Sequence, residues 1–99
     1  LMADLHADDL TTSQFKRDYK RELKGRYRAE LDEIFLPVIK ALMQDQPLPV
    51  EYRDHQLTGN WKDHRDCHIK PDLVLIYRLP DAETLQLVRL GSHAELGLS

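Results

Sequence analysis

The chain has few of the residues that mark several protein classes. Cys67 is the single cysteine among 99 residues, so no disulfide can form within the chain, and a lone thiol is not a metal-site signature. With four glycines and five prolines, the composition excludes collagen-like and low-complexity proteins. No apolar run approaches the roughly 20 residues that a transmembrane helix needs. Stability must therefore come from a packed core.

The N-terminal sequence also lacks an export signal. No basic stretch is followed by an apolar segment there, so we expect a cytoplasmic protein. The length suits one domain with a single core. We assign that domain to residues 10–99 and interpret residues 1–9 as an N-terminal extension, either natural or added to the chain.

An excess of positive charge is missing as well. The net charge is -3, whereas nucleic-acid-binding domains usually carry a basic surface. Asp4, Asp8 and Asp9 account for this value, because residues 11–99 hold 14 basic groups and the remaining 14 of the 17 acidic groups. Residues 16–28 nevertheless contain seven basic side chains and two acidic ones. This segment is either a solvated helix face or a surface for a phosphate backbone.

A first helix is predicted after Thr12 or Ser13, since both residues are good N-caps. The following apolar residues recur every fourth position, as a helix face requires; they are Phe15, Tyr19 and Leu23. Gly25 can then end the helix in a left-handed cap.

A second helical pattern follows and stops at residues 47–49, where two prolines flank a leucine. Its apolar residues are Tyr27, Leu31, Ile34, Phe35, Val38, Ile39 and Leu42. Pro37 falls inside the pattern, lacks an amide donor and clashes with the preceding turn. We therefore expect a kink or a new helix start at that position.

After residue 49 the apolar period changes from helical to two, which is typical of strands. Strands are predicted at 61–69, 73–79 and 84–90, joined by turns at 70–72 and 80–83. A short extended piece before Ser13 is expected to add an edge strand. The predicted fold is α+β: two N-terminal helices on one side of a curved antiparallel sheet of about four strands, with a short C-terminal helix capped by Ser92.

Histidine and aspartate are concentrated in the second half of the chain. The residues concerned are His55, His64, His68 and His93, with Asp54, Asp63, Asp66 and Asp72. Because imidazole titrates near neutral pH, two histidines across a phosphodiester can act as base and acid in one turnover. RNA suits such a site, since its 2′-hydroxyl is an internal nucleophile close to the phosphorus.

On the strand predicted from residue 61, His64, Asp66 and His68 alternate onto one face, and Arg65 and Cys67 onto the other. That first face can be an acid–base site, a zinc chelate or a solvated surface. Cys67 is expected in the core.

Asp72 and His93 each have an ordinary structural interpretation. Asp72 follows a proline in a tight turn, where aspartate commonly bonds its own backbone. His93 lies in the first turn of the predicted terminal helix, next to an anion-binding backbone, or is a plain surface residue.

Several short motifs occur in a fixed order along the chain. They are Asp-His-x-Leu-x-Gly-x-Trp at 54–61, Arg-Asp-x-His-x-x-Pro-Asp at 65–72, an apolar strand ending in Ile76 and Tyr77, and Arg-x-Gly-x-His at 89–93. Together they resemble the RelE superfamily of bacterial toxins, and within it the YafQ-like branch. The resemblance spans about residues 13–96 and is far more specific than any one motif.

The resemblance implies the toxin of a type II toxin–antitoxin pair, an endoribonuclease that cuts translated mRNA in the ribosomal A site. It implies no cofactor and no metal, and two partners: a cognate antitoxin and the ribosome with its mRNA. A freely active mRNA nuclease would stop its host, which is why an antitoxin is required.

The resemblance also implies roles for individual residues. His55 and His93 correspond to the general base and general acid, and His93 is the candidate for protonating the 5′-oxygen. The supporting set is Asp66, His68 and Asp72, which orient the imidazoles or take part in proton transfer. The RNA-binding candidates are Lys62, Arg65 and Arg89, of which the arginines have a structural role as the alternative.

Two features depart from the family pattern or have no counterpart in it. Where the family often has a terminal aromatic residue, this chain reads Glu-Leu-Gly-Leu-Ser at 95–99, so only Leu98 remains for apolar contact with a base. His64 has no counterpart and is interpreted as a surface residue.

Two other hypotheses follow: a binding module of the same fold without catalysis, and a zinc hydrolase using His64, Asp66 and His68.

Overall fold

The computed structural model describes residues 11–81 and 84–98. Its helices are α1 (Ser13–Glu22) and α2 (Leu31–Met43), and its strands are β1 (His55–Gln56), β2 (Arg65–Lys70), β3 (Leu73–Asp81) and β4 (Thr84–Gly91). Short 3₁₀ turns lie at Val50–Tyr52 and Gly59–Trp61. The predicted extension at 1–9 and the second half of the predicted 80–83 turn lie outside the described residues. In the described ranges, neither helix has the length and apolarity to cross a membrane.

The four strands form one antiparallel sheet in the order β1-β2-β3-β4. The predicted α+β fold and meander are therefore confirmed. The fourth strand is not the predicted one, however, because β1 pairs with β2 at one edge. The piece before Ser13 contributes an isolated parallel bridge between Thr11 and Leu87 on the opposite edge.

Helix α1 begins as predicted and ends differently. The Thr12 hydroxyl accepts a hydrogen bond from the Phe15 amide at 3.0 Å, which confirms the N-cap. The helix ends at a right-handed cap, Leu23. The prediction of a left-handed cap at Gly25 is wrong, because right-handed turns carry the chain onward from the helix, with the Gly25 amide donating to the Glu22 carbonyl.

Helix α2 runs from Leu31 to Met43 without a break at Pro37. The expected restart is therefore wrong, and its alternative, a kink at Pro37, stays a prediction. Pro37 lies on the exposed face, whereas Phe35, Val38 and Ile39 beside it are at most 1% exposed. Packing of this apolar face stabilises the helix enough to offset the hydrogen bond that proline cannot donate.

The sheet is covered by apolar residues on both faces. The larger cluster lies against the helices and contains Cys67, as predicted, with Leu73, Leu75 and Tyr77 of β3. The alternate residues of β3 point to the other face. They join a smaller cluster that comprises Val74, Ile76, Val88 and Leu96, with Leu57, Trp61 and Leu98 packed around it. Leu98 is thus a packing residue of this second cluster.

A buried carboxylate attaches α1 to β4. Asp18 is 4% exposed and accepts hydrogen bonds from the Arg89 Nε at 2.7 Å, the Leu90 amide at 3.0 Å and the Arg21 Nη1 at 3.0 Å. Two guanidinium groups and an amide therefore satisfy the buried charge. Arg89 has a structural partner in this arrangement.

The predicted C-terminal helix is reduced to hydrogen-bonded turns. Ser92 and Glu95 form a reciprocal capping box, in which the Ser92 amide donates to Glu95 Oε1 at 2.9 Å and the Glu95 amide donates to Ser92 Oγ at 3.1 Å. One helical bond follows, from the Leu96 amide to the Ser92 carbonyl at 3.1 Å. Gly97 then adopts a positive φ of 70°, which ends the turn. The capping box holds His93 at the end of β4.

Candidate active site

Strand β2 presents two of the predicted site residues on the face away from the helices. Cys67 and Ile69 of β2 lie in the helix-side cluster, so alternation directs Asp66 and His68 to the opposite face. The register of β1 places His55 directly across from Asp66. His93, just after β4, reaches the same region.

Three imidazoles lie in a row with His68 in the middle. Its Nε2 is 3.1 Å from the Nε2 of His93. The ring of His55 lies on the other side, nearly parallel to that of His68, with 6.4 Å between ring centroids and 14° between planes. The structure therefore brings together three histidines from three separate segments.

Asp72 holds His93 at one end of the row. Its Oδ1 accepts hydrogen bonds from the His93 ring Nδ1 at 2.7 Å and from the His93 backbone amide at 3.0 Å. These hydrogen bonds lower the pKa of the Asp72 carboxyl below its usual range. The predicted turn at Asp72 is confirmed. Its carboxylate, however, bonds His93, where a bond to the backbone of its own turn was expected.

The hydrogen-bond partners restrict where the protons lie. An ionised Asp72 only accepts, so the Nδ1 of His93 carries a proton. The Nδ1 of His68 is buried and has no partner among the described residues. A neutral His68 with its proton on Nε2 donates to His93 and leaves no buried N–H without an acceptor.

Asp66 lies at the other end of the row, beside His55. Its Oδ1 is 2.9 Å from the His55 Nδ1, and the side chain is 4% exposed. Burial raises the pKa of the Asp66 carboxyl, and the neighbouring histidines oppose that effect. The Asp66 Oδ1 makes no hydrogen bond within the described residues, so the contact with His55 is an ion pair only when His55 is protonated.

The hydrogen-bond acceptor of the His55 Nδ1 is the carbonyl of Arg53 at 2.9 Å. Arg53 adopts a left-handed conformation with φ 50°, which is uncommon for a residue with a side chain. A carbonyl oxygen only accepts, so the proton of a neutral His55 lies on Nδ1 and its Nε2 has a free lone pair. The side chain is 56% exposed, which leaves that lone pair accessible to a substrate.

His64 lies outside this group. Strand β2 begins at Arg65, and the His64 ring packs edge-on against Trp61 with 5.4 Å between centroids. Its Nδ1 is 3.0 Å from the Lys62 carbonyl. The prediction that His64 shares a strand face with Asp66 and His68 is therefore wrong. In the ranges 11–81 and 84–98, no three His, Cys, Asp or Glu side chains form a group suited to a metal ion.

The three predicted RNA-binding residues differ in their surroundings. Arg65 donates to Asp54 and to the Tyr77 hydroxyl, each at 3.3 Å. The same hydroxyl donates to Asp54 at 2.6 Å. Arg89 is held by Asp18, as described above, whereas Lys62 is exposed. The two arginines have structural partners, and their contact with RNA stays a prediction.

The basic segment 16–28 is partly used for structure. Arg21 forms ion pairs with Asp18, Glu22 and Glu95 at 3.0 to 3.2 Å. Arg26 lies over the ring of Tyr27, with 5.4 Å from the guanidinium carbon to the ring centroid. Arg26 and Tyr27 also line a cleft of about 280 Å³ that reaches Asp72. The end of this segment therefore lies beside the histidine row.

Sequence reasoning missed a second set of residues near the site. A cleft of about 380 Å³ borders His68 and His93 and is also lined by Tyr52, Arg53 and Lys70. Tyr52 and Arg53 directly precede the Asp-His motif, and Lys70 occupies a variable position of the next motif. Their positions next to the motifs were the available signal, but the cleft itself depends on the 3₁₀ turn at Val50–Tyr52 packing near β2.

Comparison with known families decides the assignment. The model of a family described as the bacterial toxin of a type II toxin–antitoxin system, YafQ, matches residues 9–97. The chain belongs to the YafQ toxin family. The mRNA interferase toxin YafQ of Escherichia coli is 36% identical over 85 residues, which cover 84% of this chain and 91% of that protein.

Solved structures of YafQ-like toxins have the same fold. In the E. coli DinJ–YafQ toxin–antitoxin complex, the matching chain has a TM-score of 0.76 and 35% identity, with 91% of this chain and 96% of that chain covered. A metal-bound toxin from Helicobacter pylori has a TM-score of 0.74 and 43% identity, with 87% and 93% covered. The resemblance inferred from the motifs is thus confirmed for the family and for its helix and sheet architecture.

Proposed function

We propose that this chain is the toxin of a type II pair and acts as a ribosome-dependent mRNA endoribonuclease through its histidine row. The observation that carries the proposal is the row itself, with three adjacent imidazoles and a carboxylate at each end. Such a row supplies a proton acceptor at one end, a proton donor at the other and positive charge, which is what cleavage of RNA by its own 2′-hydroxyl needs.

His55 is assigned as the general base. Its Nδ1 faces the Arg53 carbonyl and Asp66 at 2.9 Å each, so its exposed Nε2 removes the proton from the 2′-hydroxyl. The 2′-oxygen then attacks the adjacent phosphorus. The positive charge that develops on His55 is balanced by Asp66, whose carboxylate lies in a buried position where charge interactions are strong.

His93 is assigned as the general acid. In its protonated form, the Nε2 proton passes to the 5′-oxygen as the bond between phosphorus and that oxygen breaks. The products are a 2′,3′-cyclic phosphate and a 5′-hydroxyl. Asp72 accepts from Nδ1 at 2.7 Å, which orients the ring and stabilises the imidazolium before transfer. Solvent returns His55 and His93 to their starting protonation states.

His68 is assigned a supporting role between them. Its Nε2 is 3.1 Å from that of His93, so the free site has these two nitrogens paired with each other. When RNA is bound, the Nε2 of His93 must leave its contact with His68, take up a proton from solvent and face the leaving oxygen. His68 then has a free Nε2–H to donate to a phosphate oxygen, where it offsets the extra negative charge of the transition state.

The proposed partners are a cognate antitoxin and the ribosome. The E. coli relative has been crystallised with its antitoxin DinJ, and a comparable partner is proposed here. The substrate is mRNA in the ribosomal A site, which places the action in the cytoplasm. Lys62 is the exposed cation proposed to contact RNA, and Arg65 and Arg89 are secondary candidates because each already has a carboxylate partner.

Cleavage of translated mRNA tests this function. Purified protein is added to ribosomes translating a defined message, cut positions are mapped by primer extension, and the new ends are tested for a 2′,3′-cyclic phosphate. The wild type and His64→Gln should cut, whereas His93→Gln should cut at least about a hundredfold more slowly, the lower range for loss of a general acid. His64 is the matched control, since it is a histidine outside the row.

Two outcomes would contradict the proposal. Equal cutting by wild type and His93→Gln would remove the acid role, and loss of cutting with a chelator that binds transition metals but spares magnesium would indicate a metal-dependent reaction. Growth after induction of the toxin alone separates the enzyme from a binding module. Unimpaired growth with intact mRNA would favour the module, to which the missing terminal aromatic residue and the neutral charge of residues 11–99 point.

A further inference from the structure

We propose that the cleft beside His68 and His93 is a subsite for the nucleotide that follows the cut, with Lys70 and Arg53 binding that nucleotide's 3′-phosphate. The proposal rests on the acid role given to His93 above and extends it to residues that neither the motifs nor the predicted RNA-binding set includes.

The position of the cleft assigns it to the leaving side of the substrate. It is lined by His68 and His93, and His55 is not among its lining residues. The group that His93 protonates is the 5′-oxygen of the nucleotide after the cut. A cleft that borders the acid but not the base therefore accepts the nucleotide attached to that oxygen.

The dimensions and walls of the cleft suit one nucleotide. Its volume of about 380 Å³ is at the small end of the range for small-molecule pockets. Tyr52 is half-buried and its side chain packs against the helix-side core, so the ring is held in place before any ligand binds. Pro71 lines the cleft too. A held aromatic ring is a stacking surface for a base of any identity.

The charges in the cleft favour a phosphate. Among the described residues, Arg53 and Lys70 line it together with a single acidic residue, Glu51. Lys70 is paired only loosely with Glu30, at 3.9 Å, and both side chains are partly exposed, at 35% and 47%. Such an exposed pair contributes little, so Lys70 is free to exchange Glu30 for a phosphate. The Arg53 carbonyl already accepts a hydrogen bond from His55, which holds the backbone of Arg53 next to the reaction centre.

A dinucleotide whose first sugar lacks the 2′-hydroxyl tests the subsite without being cut. It is prepared with either a 3′-hydroxyl or a 3′-phosphate on the second nucleotide, and both forms are titrated into the full chain while binding is followed by NMR. The wild type should bind the phosphorylated form about tenfold more tightly, the lower range for a charge-assisted contact. Lys70→Gln should bind the phosphorylated form at most about threefold more tightly than the 3′-hydroxyl form.

Lys40→Gln is the matched control, because it removes the same charge from an exposed position on α2. It should keep the full tenfold preference. Tyr52→Leu should weaken binding of both forms by about tenfold, whereas Tyr52→Phe should bind like the wild type, since stacking needs the ring and not the hydroxyl.

Equal binding of the two dinucleotides by the wild type would overturn the proposal, and so would an unchanged preference in Lys70→Gln. Failure of the subsite and failure of the proposed enzymatic function can be distinguished. A chain that prefers the phosphorylated form but leaves translated mRNA intact has the subsite without the activity. A chain that cuts mRNA but shows no preference has the activity without the subsite.

Discussion

Replacing Arg89 by Gln separates a structural arginine from an RNA-binding one, because the motif resemblance and the structure assign it different roles. In the structure its Nε donates to Asp18 Oδ2 at 2.7 Å and its Nη2 to Asp18 Oδ1 at 3.3 Å. The side chains of Arg89 and Asp18 are only 21% and 5% exposed. We expect Arg89→Gln to act mainly through stability: the free energy of unfolding falls, and the intrinsic cleavage rate of the folded protein falls less than tenfold.

The magnitude follows from the burial of the pair. Breaking a fully buried ion pair costs about 3–5 kcal/mol, and the partial exposure of Arg89 reduces its cost to about 2 kcal/mol. Asp18→Asn should cost about 3 kcal/mol, because Arg21 also loses its buried acceptor while the Asn oxygen still accepts from the Leu90 amide. The double variant should lose about 3 kcal/mol and not the sum, which is a coupling energy of about 2 kcal/mol.

Urea unfolding of the four proteins in this cycle measures the coupling, and cleavage of translated mRNA well below the midpoint temperature measures activity. For a domain of this size, a loss of 2 kcal/mol lowers the midpoint temperature by about 10 °C. Lys62→Gln is the opposite control, since Lys62 is exposed: stability should not change and cleavage should weaken. The reasoning is refuted if Arg89→Gln unfolds like the wild type but cuts more than tenfold more slowly.

Three further predictions concern pH and burial. The pKa of Asp66 is raised in the folded state, so this carboxyl contributes most to stability below its pKa in the unfolded chain. The contribution is lost as pH rises through the folded pKa. In thermal melts, Asp66→Asn should therefore be more stable than the wild type at pH 7, and the difference should disappear near pH 3. The pKa of Asp72 is lowered, so this carboxyl contributes to the free energy of unfolding above its pKa in the unfolded chain, and the contribution is lost as pH falls. Asp72→Asn should therefore be less stable than the wild type at neutral pH and equally stable in strong acid. Cys67 is fully buried and burial raises its thiol pKa, so a thiol reagent should label it only in denaturant. Rapid labelling of the native protein would contradict its placement in the core. Cys67→Ser should lower the free energy of unfolding by about 1–3 kcal/mol.

Local sequence rules predicted the elements better than their ends. Thr12 caps α1 as predicted because an N-cap depends on a hydrogen bond three residues away. Tyr27 has the helical period of α2 but lies before the helix, in the turns that precede Leu31. Period alone does not distinguish a helical residue from a neighbour that packs on the same core.

In the candidate site too, local rules predicted which residues share a strand better than where that strand begins. Alternation along β2 correctly placed Asp66 and His68 on one face, but it also placed His64 there, and the strand begins one residue later. The edge strand β1 has only two residues, too few for a periodic signal. Without it, the pairing of His55 with Asp66 cannot be derived from local pattern.

The sequence by itself determined the residue types, the order of the motifs and the two periodicities, and therefore the α+β class, the family and the identity of the candidate histidines. Those are properties of neighbours along the chain. The tertiary structure decided which of them meet: His68 with His93 across 25 residues, and Asp18 with Arg89 across 71. Such contacts depend on strand register and on the packing of both sheet faces, which are set by the summed burial of many side chains and not by any local pattern.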